Sequence, residues 1–265
     1  MDFGRQSDEK MRLRRPAAGQ IHSRCVRPLP MPLARERLVP LIVAVALFME
    51  NMDSNVIATS LPAIARDLGT SPLTLKLAVT SYLLSLAVFI PASGWTADRF
   101  GARNVFRVAI GVFMVGSITC AAASSLAMFV AGRIIEGMGG AMMSPVARLL
   151  LVRTVDKRAL VGAMAWLTVP SLMGPMLGPP LGGFITTYAA WQWIFVINVP
   201  IGVIGILLVT RYIEDVRAEA PDPIDLPGLV LAGIAVAGLA FGLSVAGFDI
   251  LPWPAVAALL AGGAV

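Results

Sequence analysis

Long apolar runs separated by short polar punctuation make up nearly the whole chain. A membrane-crossing helix needs about 20 mostly apolar residues to span ~30 Å of hydrocarbon at about 1.5 Å per residue. Seven runs meet that requirement: Leu38–Thr59, Leu77–Trp95, Val105–Ala123, Leu126–Leu151, Leu160–Ile185, Trp193–Tyr212 and Leu226–Gly247. An eighth, Leu251–Val265, stops inside its own apolar stretch. The alternation of a barrel strand is absent from these runs. In lipid every backbone polar group needs an internal partner, so all of them are expected as helices.

Composition then narrows the class. Of 265 residues, 57% are hydrophobic and 14% charged, against a charged share of about 25% in soluble domains. Residues 1–37 hold nine Lys/Arg and four Asp/Glu, leaving 24 charged residues for the other 228. So few charges cannot cover a water-facing surface. A disordered chain, a disulfide scaffold and an ordinary cytosolic enzyme are excluded. An all-α integral membrane protein remains, with the lipid bilayer as its first partner.

The net charge of +5 reads as membrane topology and not as a nucleic-acid surface. Eighteen Lys/Arg fall on the side of the N-terminus, two on the other (Arg66 and Lys76), and Arg133 lies within a span. The positive-inside rule therefore places the N-terminus in the cytoplasm. Trp95 and Tyr212 fall at cytoplasmic ends, and Tyr188, Trp191, Trp193 and Trp253 at outer ends, where amphipathic rings anchor spans. Residues 1–37 read as a disordered basic tail, since prolines at 16, 28, 30 and 32 interrupt it and no periodic apolar face exists. It lacks the apolar core and cleavage site of a signal peptide. We expect Met31 to be the native start, with residues 1–30 an extension. Cys25 and Cys120 sit in unlike settings and His22, the single histidine, lies in the tail. No disulfide, metal site, cofactor or His-based catalytic set is expected.

Ionisable groups inside a span cost about 2.5–3.5 kcal/mol each on insertion scales, so each asks for a reason. Span 1 carries Glu50 and Asp53, three residues apart on one helix face. Two close carboxylates in low dielectric resist double ionisation, the property a proton carrier needs. The competing reading has both near the outer end of the helix, wet and merely solvating. Span 4 carries Arg133 and Glu136 at the same spacing. The guanidinium stays charged and can bias a neighbouring acid, or the two form an intrahelical ion pair that eases insertion. Span 5 runs from Gly174 and Pro175 through Gly178, Pro179 and Pro180 to Gly182 and Gly183. Its prolines predict a bent or broken helix, and its glycines a close approach to another helix. Such broken helices in transporters mark a central cavity; simple packing is the alternative. Between spans 2 and 3, Gly94 and Gly101 suit a tight turn, Asp98 suits a helix N-cap, and Arg99 and Arg103 suit acids or phosphate groups.

The Gly94–Asn104 segment resembles the G-x-x-x-D-R-x-G-R-R signature of the major facilitator superfamily, with Ala102 in place of a basic residue. Arg133 to Ala141 resembles that family's R-x-x-Q-G-x-G-x-A motif, with Glu136 replacing Gln. The span-5 run is similar to its antiporter motif G-P-x-x-G-G. Met52 to Pro62 resembles L-D-x-T-I-V-N-V-A-L-P of the fourteen-helix drug:proton antiporters of EmrB/QacA type, departing at Asn55 and Ala58. Trp191 to Gly202 is similar to W-R-W-I-F-x-I-N-x-P-I-G of the same group, with Gln192 for Arg. Five motifs in order cover about residues 40–205.

The resemblance implies a fold and a function. The fold is an N-terminal six-helix bundle over 38–212, built of two three-helix inverted repeats. A short cytoplasmic linker over 213–225 leads to an extra helix and a truncated next one over 226–265. About half a transporter is then present, and the partner still to be supplied is the C-terminal bundle. The implied function is proton-coupled export of small amphipathic compounds across a bacterial inner membrane. Small-molecule substrate and protons are its ligands. Asp53 and Glu50 would carry protons, Arg133 would bias them, Glu136 would belong to the same proton-coupling set, and the Asp98 segment would latch the cytoplasmic side. A non-transporting fragment and an exporter of a metabolite with the same fold are the alternatives. An enzyme is the weakest reading, since no nucleophile–base pair appears.

Overall fold

The punctuation between the apolar runs closes each helix in its own way. Ser71 and Ser125 adopt extended backbone angles, and their hydroxyls accept from the amides of Thr74 and Met128, so each caps a helix N-terminus. Pro72 follows Ser71 at the position where a missing N–H costs nothing. Gly69 (φ 62°) and Gly101 (φ 88°) take the backbone through the left-handed region at two reversals.

The computed structural model describes residues 35–214, 225–245 and 253–264, which lie within the unit Leu33–Val265. The helices are α1 (Arg35–Asp67), α2 (Pro72–Phe89), α3 (Ala92–Phe100), α4 (Ala102–Ala121), α5 (Leu126–Thr154), α6 (Leu160–Tyr188), α7 (Trp193–Val196), α8 (Asn198–Tyr212), α9 (Leu226–Val245) and α10 (Trp253–Ala264). Among the described residues there is no strand. Among the described residues six segments are long and apolar enough to cross a bilayer: Leu38–Asp67, Pro72–Phe89, Ala102–Ala121, Leu126–Thr154, Leu160–Tyr188 and Trp193–Tyr212. The chain is a multi-pass membrane protein. Nearly all of the expected basic tail, most of the 213–225 linker and the stretch 246–252 lie outside the described residues.

Three expectations need correction. The first span does not end at Thr59; α1 continues through Pro62 to Asp67. Glu50 and Asp53 are therefore mid-helix and not near its outer end. The segment from Gly94 to Asn104 is not a loop, since α3 and α4 run through it and meet at Gly101. Gly94 makes no turn, and Asp98 lies inside α3 instead of capping a helix. The third concerns α6, which holds Pro170, Pro175, Pro179 and Pro180 yet is continuous. A proline removes one hydrogen bond and crowds one carbonyl, yet α6 keeps its helical backbone through all four.

What the α6 glycines do is clear from their surroundings. Gly174, Gly178 and Gly182 are buried and recur every four residues, forming one stripe against α1. A Cβ on Gly174 would stand 2.8 Å from both Asn51 Cβ and the backbone nitrogen of Met52. One on Gly178 would stand 2.9 Å from Asn55 Cβ. Absent side chains are what let the two backbones meet. Gly183 has open space, and Pro175, Pro179 and Pro180 face outward, exposed. Gly174→Leu is expected to lose about 1–3 kcal/mol by overpacking, seen as a lower thermal unfolding midpoint in detergent. Gly183→Ala should leave that midpoint in place.

Two apolar cores stack along the bundle. One gathers Val43, Leu47, Phe106, Phe113, Met143, Leu150 and Val209. The other gathers Val56, Ile64, Leu75, Cys120, Phe129 and Phe195. Bordering these cores, α1, α4, α5 and α8 each bury polar side chains: Asp53, Ser117, Arg133 with Glu136, and Asn198.

Candidate functional site

That polar layer is buried: Asp53, Ser117, Glu136 and Asn198 are fully enclosed and Arg133 is 1% exposed. A charge so placed survives only if it is paired and hydrogen-bonded. The pairing converges on Arg133. Its Nη1 donates to Asp53 Oδ2 across the α1–α5 interface at 2.6 Å, and to Glu136 Oε2 on its own helix. Its guanidinium also lies over the Tyr82 ring, 4.2 Å from the centroid, a cation–π contact strengthened by burial.

Neutral side chains complete the network. Asn198 Nδ2 donates to Asp53 Oδ1 at 3.1 Å and to Ser117 Oγ at 3.0 Å. The Ser117 hydroxyl donates to Glu136 Oε1. The Cys120 thiol points at Glu136 Oε2, 3.6 Å away, and at the Phe129 carbonyl. Asp53, Arg133, Glu136, Ser117 and Asn198 thus close a ring drawn from four helices. Glu50 sits one turn before Asp53. Its Oε1 and the Tyr82 hydroxyl both border Gly140, where an added Cβ would stand 3.4 Å and 3.3 Å from them. Glu50 Oε2 is buried without a hydrogen-bond partner among the described residues. Ser54 links this corner, its hydroxyl donating to the Glu50 carbonyl at 2.9 Å and lying 3.2 Å from Tyr82 Oη.

Three carboxyl groups share the region with one guanidinium. Fully ionised, the three carboxyl groups would outnumber the one guanidinium beside them among the described residues. The wet, solvating reading of Asp53 fails here, because the residue is fully buried. The intrahelical Arg133–Glu136 pair is present, and Arg133 makes the bond to Asp53 as well. Sequence patterning missed Ser117, Asn198 and Tyr82. Asn198 carried a signal, a lone amide opening an apolar helix; a single Ser in an apolar run carries none.

The other singled-out residues lie elsewhere. Asp98 accepts from Arg153 Nη2 of α5, an ion pair open to solvent. Arg103 Nη2 donates to the Thr210 carbonyl of α8 at 2.6 Å. The α3–α4 corner is thereby tied to α5 and α8, while Arg99 is exposed. Gly101 is buried with ψ 129° beside its positive φ, a region other residues enter only with strain. Gly101→Ala is expected to cost about 1–3 kcal/mol, checked by the thermal unfolding midpoint. Among the described residues, no group of three His, Cys, Asp or Glu could hold a metal ion.

A family model described as Major Facilitator Superfamily matches residues 43–265. The chain is 43% identical over 228 residues to a Salmonella typhimurium protein that carries the name multidrug resistance protein MdtD. That alignment covers 84% of this chain and 47% of the relative. The Salmonella paratyphi B protein of the same name is 42% identical over 224 residues, with the same coverage. The chain spans about half the length of these relatives. Among solved structures it resembles the human organic anion transporter MFSD10 (TM-score 0.60, 18% identity, 85% of this chain and 60% of that one). A D-xylose-proton symporter gives a TM-score of 0.59 at 13% identity, over 86% of this chain and 65% of that one. These last two likenesses concern the fold alone.

Proposed function

The chain belongs to the major facilitator superfamily, and from that premise we infer that it forms one half of a proton-driven exporter of small amphipathic compounds. The observation that carries this reading is the buried Arg133, bonded at once to Asp53 of α1 and Glu136 of α5. Proton uptake by Asp53 discharges one side of that contact. Arg133 is then held by Glu136 alone, and the α1–α5 interface loses an ion pair. An interface whose ion pair depends on proton occupancy has two arrangements of different charge, the requirement for coupling protons to alternating access. Glu50, one turn away and with no hydrogen-bond partner at Oε2 among the described residues, is suited to pass protons to or from Asp53.

The name of the Salmonella relatives supports export of drug-like compounds, and the fold supports a second bundle opposite this one. We place the N-terminus in the cytoplasm of a bacterium and the chain in its inner membrane, on the eighteen-to-two distribution of basic residues. In that orientation Asp98, Arg103 and Gly101 lie at the cytoplasmic end, where the Asp98–Arg153 pair serves as a latch. The exposed proline face of α6 is the seam offered to the second bundle.

Transport by the complete protein in reconstituted vesicles tests the reading. An imposed pH gradient should drive a fluorescent amphipathic dye against its concentration gradient, and a protonophore should abolish the accumulation. Accumulation that ignores the gradient would overturn it.

A further inference from the structure

One end of the α4–α8 seam holds two arginines that the fold does not answer. Further along the seam, Ile110 and Met114 of α4 border Gly202 of α8, where an added Cβ would meet both side chains. Near the start of α4, Arg103 Nη2 donates to the Thr210 carbonyl of α8. Positions 103, 107, 110 and 114 recur at intervals of three and four residues, so the helix pitch sets Arg107 on the same seam. Both arginines are half-buried, and the Nε of each is enclosed with no hydrogen-bond partner among the described residues. Neither forms an ion pair with a described carboxylate.

Local interactions on α4 oppose such a pair. Like charges four residues apart repel on a helix. The first turn of α4 holds no acid, and Gly101 gives its N-terminus no side-chain cap, so Arg103 adds a cation to the positive end of the helix dipole. α4 carries no acid along its whole length, and α8 none from Asn198 to Tyr212. Glu214, just beyond α8, is one acid against Arg103, Arg107 and Arg211. An enclosed guanidinium nitrogen without an acceptor is costly. An anion seated at the seam removes that cost and the repulsion together.

The surface beyond the arginines says which anion. The exposed faces of α4 and α8 are apolar: Val108, Val115 and Ile118 on one, Val203, Ile204 and Leu207 on the other. From Arg107 to Ile118 the helix runs ~16 Å at about 1.5 Å per residue, close to the depth of one leaflet. Both helices belong to segments long and apolar enough to cross a bilayer, and the arginines sit where α4 begins and α8 ends. A free phosphate would use the arginines and leave the apolar surface idle. We propose that this seam is a binding site for an anionic phospholipid, with its phosphate held by Arg103 and Arg107 and its acyl chains laid along α4 and α8. Arginine suits the task because its fork meets two phosphate oxygens at once. None of the Asp53–Arg133–Glu136 ring takes part, so the site stands apart from the proton-coupling reading.

The test is native mass spectrometry of the complete protein released from micelles doped with phosphatidylglycerol. The wild type should retain a tightly held copy, and neither the uncharged diacylglycerol of the same chains nor inorganic phosphate should take its place. Arg107→Gln should weaken retention about fivefold, the share of one arginine near an anionic lipid surface, and Arg107→Lys should weaken it less. Arg148→Gln, which removes an exposed arginine of α5, should leave retention unchanged. Diacylglycerol held as well as phosphatidylglycerol, displacement of the lipid by inorganic phosphate, or an equal loss in Arg148→Gln overturns the site. Full retention in Arg107→Gln does the same. Without lipid, the thermal unfolding midpoint of Arg107→Gln should match or exceed that of the wild type, since no partner is lost. A midpoint that falls shows Arg107 to be answered inside the fold and overturns the proposal as well.

Discussion

Replacing Arg133 with Met is expected to destabilise the folded bundle by about 3–5 kcal/mol, the usual cost of removing one partner from a buried ion pair. Met matches the length of the aliphatic stem but supplies no hydrogen to Asp53 Oδ2 or Glu136 Oε2. Two carboxyl groups are then left buried without their shared cation, and the Tyr82 ring loses the guanidinium above it. The yield of monodisperse protein and the thermal unfolding midpoint should both fall sharply. The cause is separable from lost packing. The triple variant Asp53→Asn, Arg133→Met and Glu136→Gln carries no charge at these three positions, and it should regain most of the lost stability. It should still fail to couple protons. If the single variant is as stable as the wild type, Arg133 is not the counter-ion that holds α1 to α5.

Asp53→Asn is the second large effect, and it appears in transport, not in stability. Asn has the shape of Asp and still offers an oxygen to Arg133 and contacts to Asn198, so the fold should hold. It cannot exchange a proton. A gradient of one pH unit is worth about 1.4 kcal/mol per proton, which supports about tenfold accumulation for each proton coupled. The complete protein carrying Asp53→Asn should show no gradient-driven accumulation above background, while downhill exchange of the same dye continues. The pH dependence of the exchange should flatten. Accumulation by that variant with undiminished proton coupling would take Asp53 out of the mechanism.

The two experiments divide the charged ring into its structural and its chemical share. Arg133 is the group that makes the other charges tolerable inside the bundle, so its loss is felt first as instability. Asp53 bridges α1 to the rest of the ring through both its oxygens. A change in its proton occupancy is therefore felt by α5 and α8 together. Glu136 adds a second carboxyl on the far side of Arg133, held by Ser117 and approached by the Cys120 thiol.

Patterning alone determined the membrane class, the helical spans and the charged residues within them, because crossing lipid imposes a length and an apolarity that each run displays locally. Spacing also placed Glu50 beside Asp53 and Arg133 beside Glu136, since neighbours on one helix are set by its pitch. It could not foresee that α1 continues to Asp67, that α6 runs unbroken through four prolines, or that Gly174, Gly178 and Gly182 lie on α1. Those outcomes depend on which helix supplies the compensating contacts. The closed ring is likewise a tertiary result. Asp53 and Arg133 are 80 residues apart, and Asp53 and Asn198 145; only the packing of four helices at one depth brings them within hydrogen-bond reach. Ser117 and Asn198 acquire meaning there and nowhere in the linear pattern, because an uncharged polar residue in a span has a role only through the partner it meets.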